Sequence, residues 1–319
     1  MRLAKNLLPR AARPFDVVGQ GLNSIDLFAV VAEYPARNSK HRLEKFVKLA
    51  GGQVATAMAA CARLGWRARY VGRFGDDDYG AFGVESLVRD GVDVQAVRQL
   101  PGIASQFSLI LVDGSGDRTV MWDRDPGLTM AAREVEPDVI RSGRVLHVDC
   151  FETEPATAAA RIARASGMAT VIDVEGIRTG TVELLREIDI IIAAEEFPTR
   201  LTGYEDLGRA LAAMADEFRE ASLVSVTLGA RGSLTRIQGR EIRMPAFKVP
   251  VVDTTGAGDV FRGAFIAAWL GAEHGAEVED LLTYATAAAA LKCRALGARE
   301  GIPHADEVNR FLREAVPIT

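Results

Sequence analysis

Cysteine is scarce in this sequence: Cys61, Cys150 and Cys293 are the only three in 319 residues. They lie far apart in apolar surroundings, with no histidine or cysteine beside them. That pattern excludes a disulfide framework and a cysteine zinc site, and it suits reduced thiols in a cytoplasmic protein. Long apolar runs are missing as well. None approaches the roughly 20 residues that span a bilayer, so no membrane partner is expected. The net charge of −5 provides no basic excess for nucleic acid. No linker rich in Pro, Gly or Ser, no internal repeat and no low-complexity segment marks a second compact domain. There is also no Gly-Lys-Ser/Thr, which excludes a Walker phosphate loop.

What is present is material for a core. A hydrophobic content of 48% argues against disorder. The length suits one large domain, with or without an appendage. Arg2, Lys5, Arg10 and Arg13 give the first fourteen residues a basic look, but no apolar stretch or cleavage-like site follows. They are expected to form an exposed extension, not a targeting peptide.

Phe15-Asp16-Val17-Val18 leads into Gly19-Gln20-Gly21, a strand running into a turn. A dinucleotide fingerprint would need a helix next, yet residues 25–35 have poor helical spacing and end at Pro35. Residues 39–49 alternate loosely and read as an edge strand. Ala50-Gly51-Gly52-Gln53 opens a small-residue helix that Gly65 stops. Asp76-Asp77-Asp78 invites a metal reading, but a turn that caps the following helix explains it better. Residues 107–112 and 119–122 flank Asp113-Gly114-Ser115-Gly116-Asp117 as a hairpin. From residue 143, apolar strands at 145–148, 170–174, 188–192 and 223–228 alternate with helices. A parallel sheet covered on both faces follows from that alternation.

The most informative stretch is Asp253-Thr254-Thr255-Gly256-Ala257-Gly258-Asp259. An extended segment at 247–252 precedes it, and Phe261, Ala264, Phe265 and Ala268 follow at helical spacing. Glycines at such a join allow a sharp turn and a close approach of ligand. Free amides at a helix start suit an anion. Asp259, on the first turn, is expected to be ionised near neutral pH by the helix dipole. Beside a phosphate, such a carboxylate can take the proton from an attacking hydroxyl. An N-terminal cap would explain Asp259 alone, but not the acid, threonine and glycine residues together.

This stretch resembles the C-terminal signature of the ribokinase-like (PfkB) carbohydrate kinases, and the resemblance extends from about residue 15 to 315. It implies a three-layer α/β/α sandwich with a mostly parallel sheet. Residues 1–319 would form one kinase domain, with a small β lid from about 24–48 and 103–125. It further implies transfer of the γ-phosphoryl group of ATP to a sugar hydroxyl, with Asp259 as general base and Gly256, Ala257 and Gly258 as anion hole. On the sugar side it places Asp26, Gly51, Gly52, Gln53, Thr56 and Arg118. Gln53 and Thr56 replace two asparagines of the family pattern. Thr227, Leu228, Gly229, Ala230 and Gly232 match a nucleotide-binding Thr-x-Gly-x-x-Gly, and Thr286 lies where relatives pack adenine. Mg²⁺ would come with ATP. Asp253, Thr255, Gly297 and Gly301 would surround K⁺. The family's Asn-x-x-Glu falls on Ala194 and Phe197, which leaves Glu195 or Glu196 as substitutes. Residues 245–249 and 290–293 resemble ketohexokinase-like and sulfofructose-kinase-like members. Lys40, His41, Arg73, Arg118 and Arg124 are candidates to meet an anionic sugar substituent or are plain surface charge. A homodimer through the lid is also implied. The readings that compete are a nucleoside kinase of the same fold, an NAD-dependent oxidoreductase and a non-catalytic sugar-binding protein.

Overall fold

The computed structural model describes residues 1–114, 118–272, 275 and 277–314. The turn of the hairpin expected at 113–117 therefore lies largely outside the described residues. Thirteen strands are present among those described: Val17–Gln20 (β1), Ser24–Val30 (β2), Lys45–Gly51 (β3), Ala68–Gly75 (β4), Val97–Leu100 (β5), Phe107–Val112 (β6), Arg118–Asp123 (β7), Val145–Asp149 (β8), Ala169–Val174 (β9), Ile190–Ala194 (β10), Leu223–Thr227 (β11), Ser233–Ile237 (β12) and Arg240–Met244 (β13).

Nine of them form one sheet in the order β13-β12-β11-β10-β9-β8-β1-β4-β5. It is parallel from β5 to β11, and β12 and β13 join antiparallel. Consecutive residues of a strand face opposite sides. Accordingly Val17, Val145, Val171 and Ile190 enter a core built with the helices Gln53–Arg63, Ala257–Ala272 and Val278–Lys292. Their neighbours Val18, Leu146, Ile172 and Ile191 enter a second core, under Thr153–Ala165 and Leu207–Glu217. Continuous apolar strands are what such two-sided burial requires.

The other four strands form a separate sheet in the order β3-β2-β6-β7. Strand β2 pairs antiparallel with β3 and parallel with β6, in a register that sets Asp26 opposite Leu49 and Ser108. Residues 24–30, where a dinucleotide fold would need a helix, are thus strand. The expected edge strand is real but begins at Lys45.

One expectation needs correction. The first fourteen residues are not simply an exposed extension. Leu7 is buried, Arg144 Nε donates to the Leu8 carbonyl at 2.7 Å, and the Arg10 guanidinium lies over the Trp66 ring. Residues 247–252 belong to no named strand, with a single bridge residue at Phe247. The hairpin β12–β13, turning at Gln238-Gly239 with both φ positive, was not foreseen. By contrast, Asp77 caps the helix Asp78–Arg89 by accepting from Gly80 N at 2.8 Å, as the turn reading requires.

Candidate active site

The helix Ala257–Ala272 starts at the glycine-rich turn, and its first turn carries Asp259. Gly256 has φ +77°, and a Cβ there would lie 2.7 Å from Ala298 Cα, so backbone packs directly on backbone. A Cβ at Gly258 would instead meet the movable tip of Arg262, 2.6 Å from Nη1. The Ala257 amide donates to the Thr254 carbonyl at 3.1 Å. That bond engages the Ala257 amide within the turn, which favours Gly256 and Gly258 over it among the amides expected to form an anion hole.

Asp259 is half-buried, and its carboxyl is pushed up to about 7. Lost solvation is the main cause, Arg262 opposes it, and the charges of Glu175 and Asp26 add to it. The dipole argument alone, which expected a fully ionised group near neutrality, is outweighed by burial. Arg262, one helical turn along, is buried with Nη2 2.7 Å from Asp173 Oδ1 and 3.1 Å from the Ile192 carbonyl. Sequence reasoning missed this pair, because a lone arginine usually belongs to the surface.

Asp26 is buried on β2 and accepts from Ser24 Oγ at 3.0 Å, and Ser24 Oγ lies 3.1 Å from Ser108 Oγ. Burial pushes the Asp26 carboxyl up to about 6. Gly51 leaves room for it: a Cβ at Gly51 would stand 2.1 Å from Asp26 Oδ2. Gly52, with φ +88°, precedes the helix that opens at Gln53. Gln53 Oε1 and Thr56 Oγ1 are buried without a hydrogen-bond partner. Orphaned polar atoms of that kind call for a ligand or water. Arg118, at the start of β7, donates from Nη1 to Thr254 Oγ1 at 2.6 Å, so it links the small sheet to the signature turn. Arg73 and Arg124 are already engaged: Arg73 with the Thr129 carbonyl and Glu134 at 2.6 Å each, Arg124 with Glu152 at 2.9 Å. Neither guanidinium stands unpaired for an anionic substituent.

Thr227 ends β11, and Gly229–Arg231 forms a tight turn with positive φ at Gly229 and Gly232. A Cβ at Gly232 would fall 1.8 Å from the Met244 carbonyl. Leu228 is buried and Ala230 exposed. Thr286 turns its hydroxyl back to the Leu282 carbonyl at 2.7 Å, so it offers packing surface and not a free donor. Phe197, at the family's Glu place, is fully buried core. Glu195 forms an ion pair with Arg231, whereas Glu196 sits at the N-cap of the helix Phe197–Thr202.

Asp253 is held from several sides. Its Oδ1 accepts from Thr255 N at 2.9 Å and Thr255 Oγ1 at 2.8 Å, and its Oδ2 accepts from Gly297 N at 2.7 Å. Lys292 Nζ donates to its backbone carbonyl at 2.8 Å. At Gly301 a Cβ would stand 2.3 Å from the Lys292 carbonyl. The loops expected around a potassium ion do converge, but a lysine ammonium already lies among their oxygens. This donor set does not fit an added cation.

Asp149, Asp173, Ala194 and Thr227 all lie at or next to the carboxyl ends of their strands. That is the edge at which open α/β sheets bind ligands. A half-buried carboxylate on a glycine-flanked helix start there, beside a small sheet with a fully buried carboxylate, defines a small-molecule phosphotransferase. The chain belongs to the pfkB family carbohydrate kinases, whose model matches residues 16–305. It is 30% identical over 303 residues to an ATP-dependent ribose-1-phosphate kinase of Halopiger xanaduensis, covering 93% of this chain and 98% of that one. It is also 30% identical over 294 residues to probable fructokinase-3 of Arabidopsis thaliana, 84% of each chain. The ribokinase of Arabidopsis thaliana, solved with ribose and ATP, superposes with TM-score 0.81 at 27% identity, covering 94% of this chain and 99% of that one. Family membership, with β2 in place of a dinucleotide helix, sets aside the oxidoreductase.

Proposed function

We propose that this carbohydrate kinase transfers the γ-phosphoryl group of ATP to a hydroxyl of a sugar or sugar derivative held beside Asp26. The observation that carries this reading is the bond from Arg118 Nη1 to Thr254 Oγ1 at 2.6 Å, which joins the small sheet carrying buried Asp26 to the turn that leads into Asp259. In the reaction Asp259 accepts the proton of the attacking hydroxyl, and the Gly256 and Gly258 amides donate to the transferring group as its charge spreads. Asp26 accepts from sugar hydroxyls, and Gln53, at the start of the helix that follows Gly52, supplies an unsatisfied acceptor. Thr227, Gly229 and Gly232 lie along the nucleotide, with Leu228 and Ala230 in the same turn and Thr286 under the base. The small sheet acts as a lid.

Among the described residues no group of three or more His, Cys, Asp or Glu is placed to hold a metal ion. Mg²⁺ would arrive with ATP, held mainly by phosphates and water, and would offset the charge on the phosphates. No helix among the described residues is long and apolar enough to cross a membrane, and the three thiols are free and buried. The free thiols support a cytoplasmic setting.

An ADP-release assay against ketoses, aldoses, phosphosugars and nucleosides tests the reading. Release that no acceptor raises above the background with water would sink it. Asp26→Ala is expected to raise KM for the sugar by roughly ten- to a hundredfold, the range for losing a charged hydrogen-bond partner, with little change in KM for ATP. A dominant effect on ATP would place Asp26 on the wrong side.

The small sheet exposes Val120 and Trp122, at 48% and 59%, on one face of β7. We propose that a second copy of the chain covers this face. Sedimentation should show a dimer, and Trp122→Glu should shift it to monomer. A wild-type monomer at assay concentration would reject the pairing.

A further inference from the structure

Lys292 is the last residue of the helix Val278–Lys292 and is fully buried. A buried lysine is rare, and its ammonium needs acceptors and opposing charge to remain there. It has both. Nζ donates to the Asp253 carbonyl at 2.8 Å, and the negative charges of Asp253 and Asp259 favour its protonated form against the loss of solvation. The carbonyl it binds begins the turn that ends at Gly256. The same turn is tied by Asp253 to Gly297, and by Val252 N and Asp253 N to the Cys293 carbonyl at 2.8 and 3.2 Å. Lys292 thus sits where the two loops meet, one turn from the amides that face the transferring phosphoryl group.

We propose that the ε-ammonium of Lys292 is this chain's own monovalent cation, fixing the Asp253–Gly256 turn so that turnover needs no dissolved potassium. Two features carry this. The Asp253 carbonyl already receives the ammonium, and each carboxylate oxygen of Asp253 already accepts from protein N–H or O–H groups. A second cation brought to these oxygens would meet a buried like charge at close range. A fixed side chain also imposes no ion-capture step, so the turn is held in register before ATP arrives. Lys292 is a positioning residue: it acts on the phosphoryl group through the turn. The inference deepens the kinase reading and rests on it.

The test compares wild type with Lys292→Met and Lys292→Gln. Turnover is measured in KCl, NH₄Cl and tetramethylammonium chloride at constant ionic strength, with ATP as its Tris salt and saturating Mg²⁺. Melting temperatures are recorded in the same salts without substrate. Wild type should show the same kcat and melting temperature in all three. Lys292→Met should lose about tenfold or more of kcat in tetramethylammonium, more than it loses in affinity for sugar, and regain part of it in K⁺ or NH₄⁺. Its melting temperature should rise with K⁺, because an ion that binds only the folded state stabilises it. Lys292→Gln, which keeps a donor without charge, should behave like Met. Wild-type turnover or melting temperature that rises with K⁺ overturns the proposal. So does a folded Lys292→Met with full activity in tetramethylammonium, or a loss that neither K⁺ nor NH₄⁺ reduces. A wild type inactive on every acceptor would instead count against the kinase reading, and the melting temperatures would still decide the role of the lysine.

Discussion

Asp259→Asn is expected to lower turnover by roughly two to four orders of magnitude while leaving ATP and sugar binding intact. The amide has nearly the same shape but accepts no proton at neutral pH. In wild type, kcat/KM should rise with pH through about 7 and then level, because the acting form of Asp259 is the ionised one. In the variant that acidic limb should vanish. The stability effect has the opposite sign. The folded carboxyl binds its proton more tightly than the unfolded one, so its contribution to stability is present in full below about pH 4 and is lost as pH rises through about 7. Asp259→Asn should therefore melt higher than wild type at pH 8, with the gap closing by pH 5. Near-normal turnover in the folded variant would remove the base from the mechanism.

The second large effect is expected at Gly256. Alanine there places Cβ against the backbone of Ala298 at 2.7 Å, in a left-handed conformation that side chains resist. Either loop must move, and the Gly256 amide moves with it. A loss of about 10²–10³ in kcat is expected, the scale for removing one preorganised donor. Gly258→Ala is the control. Its Cβ meets only the tip of Arg262, which can swing aside, so the loss should be clearly smaller. Equal losses at the two positions would mean that the turn does not hold the amides through Gly256.

Much of this could be read from the chain because the relevant signals are local. The βα alternation after residue 143 follows from strands apolar on both sides, and Val17 and Val18 entering different cores shows why. The glycine and acid pattern at 253–259 marks a helix start whichever fold surrounds it. What escaped depends on distant partners. Lys292 and Arg262 look like surface cations until Asp253 and Asp173, far away in sequence, are brought to them. The hairpin β12–β13 buries Ser233 and Thr235 beside Leu234, so its inward face carries no apolar alternation. The ionisation of Asp259 was misjudged for the same reason, since desolvation comes from packing and not from its position on a helix.

The three thiols have a practical consequence. Cys61, Cys150 and Cys293 are buried, and loss of solvation pushes each of them up, away from the reactive thiolate. The native protein should therefore give almost no background with maleimide or other alkylating dyes. One reporter cysteine, introduced as Met121→Cys on the face of β7 opposite Val120 and Trp122, would carry the only fast-reacting sulfur. Fluorescence from that single label would follow the small sheet as sugar binds and leaves, without first stripping the chain of its own cysteines.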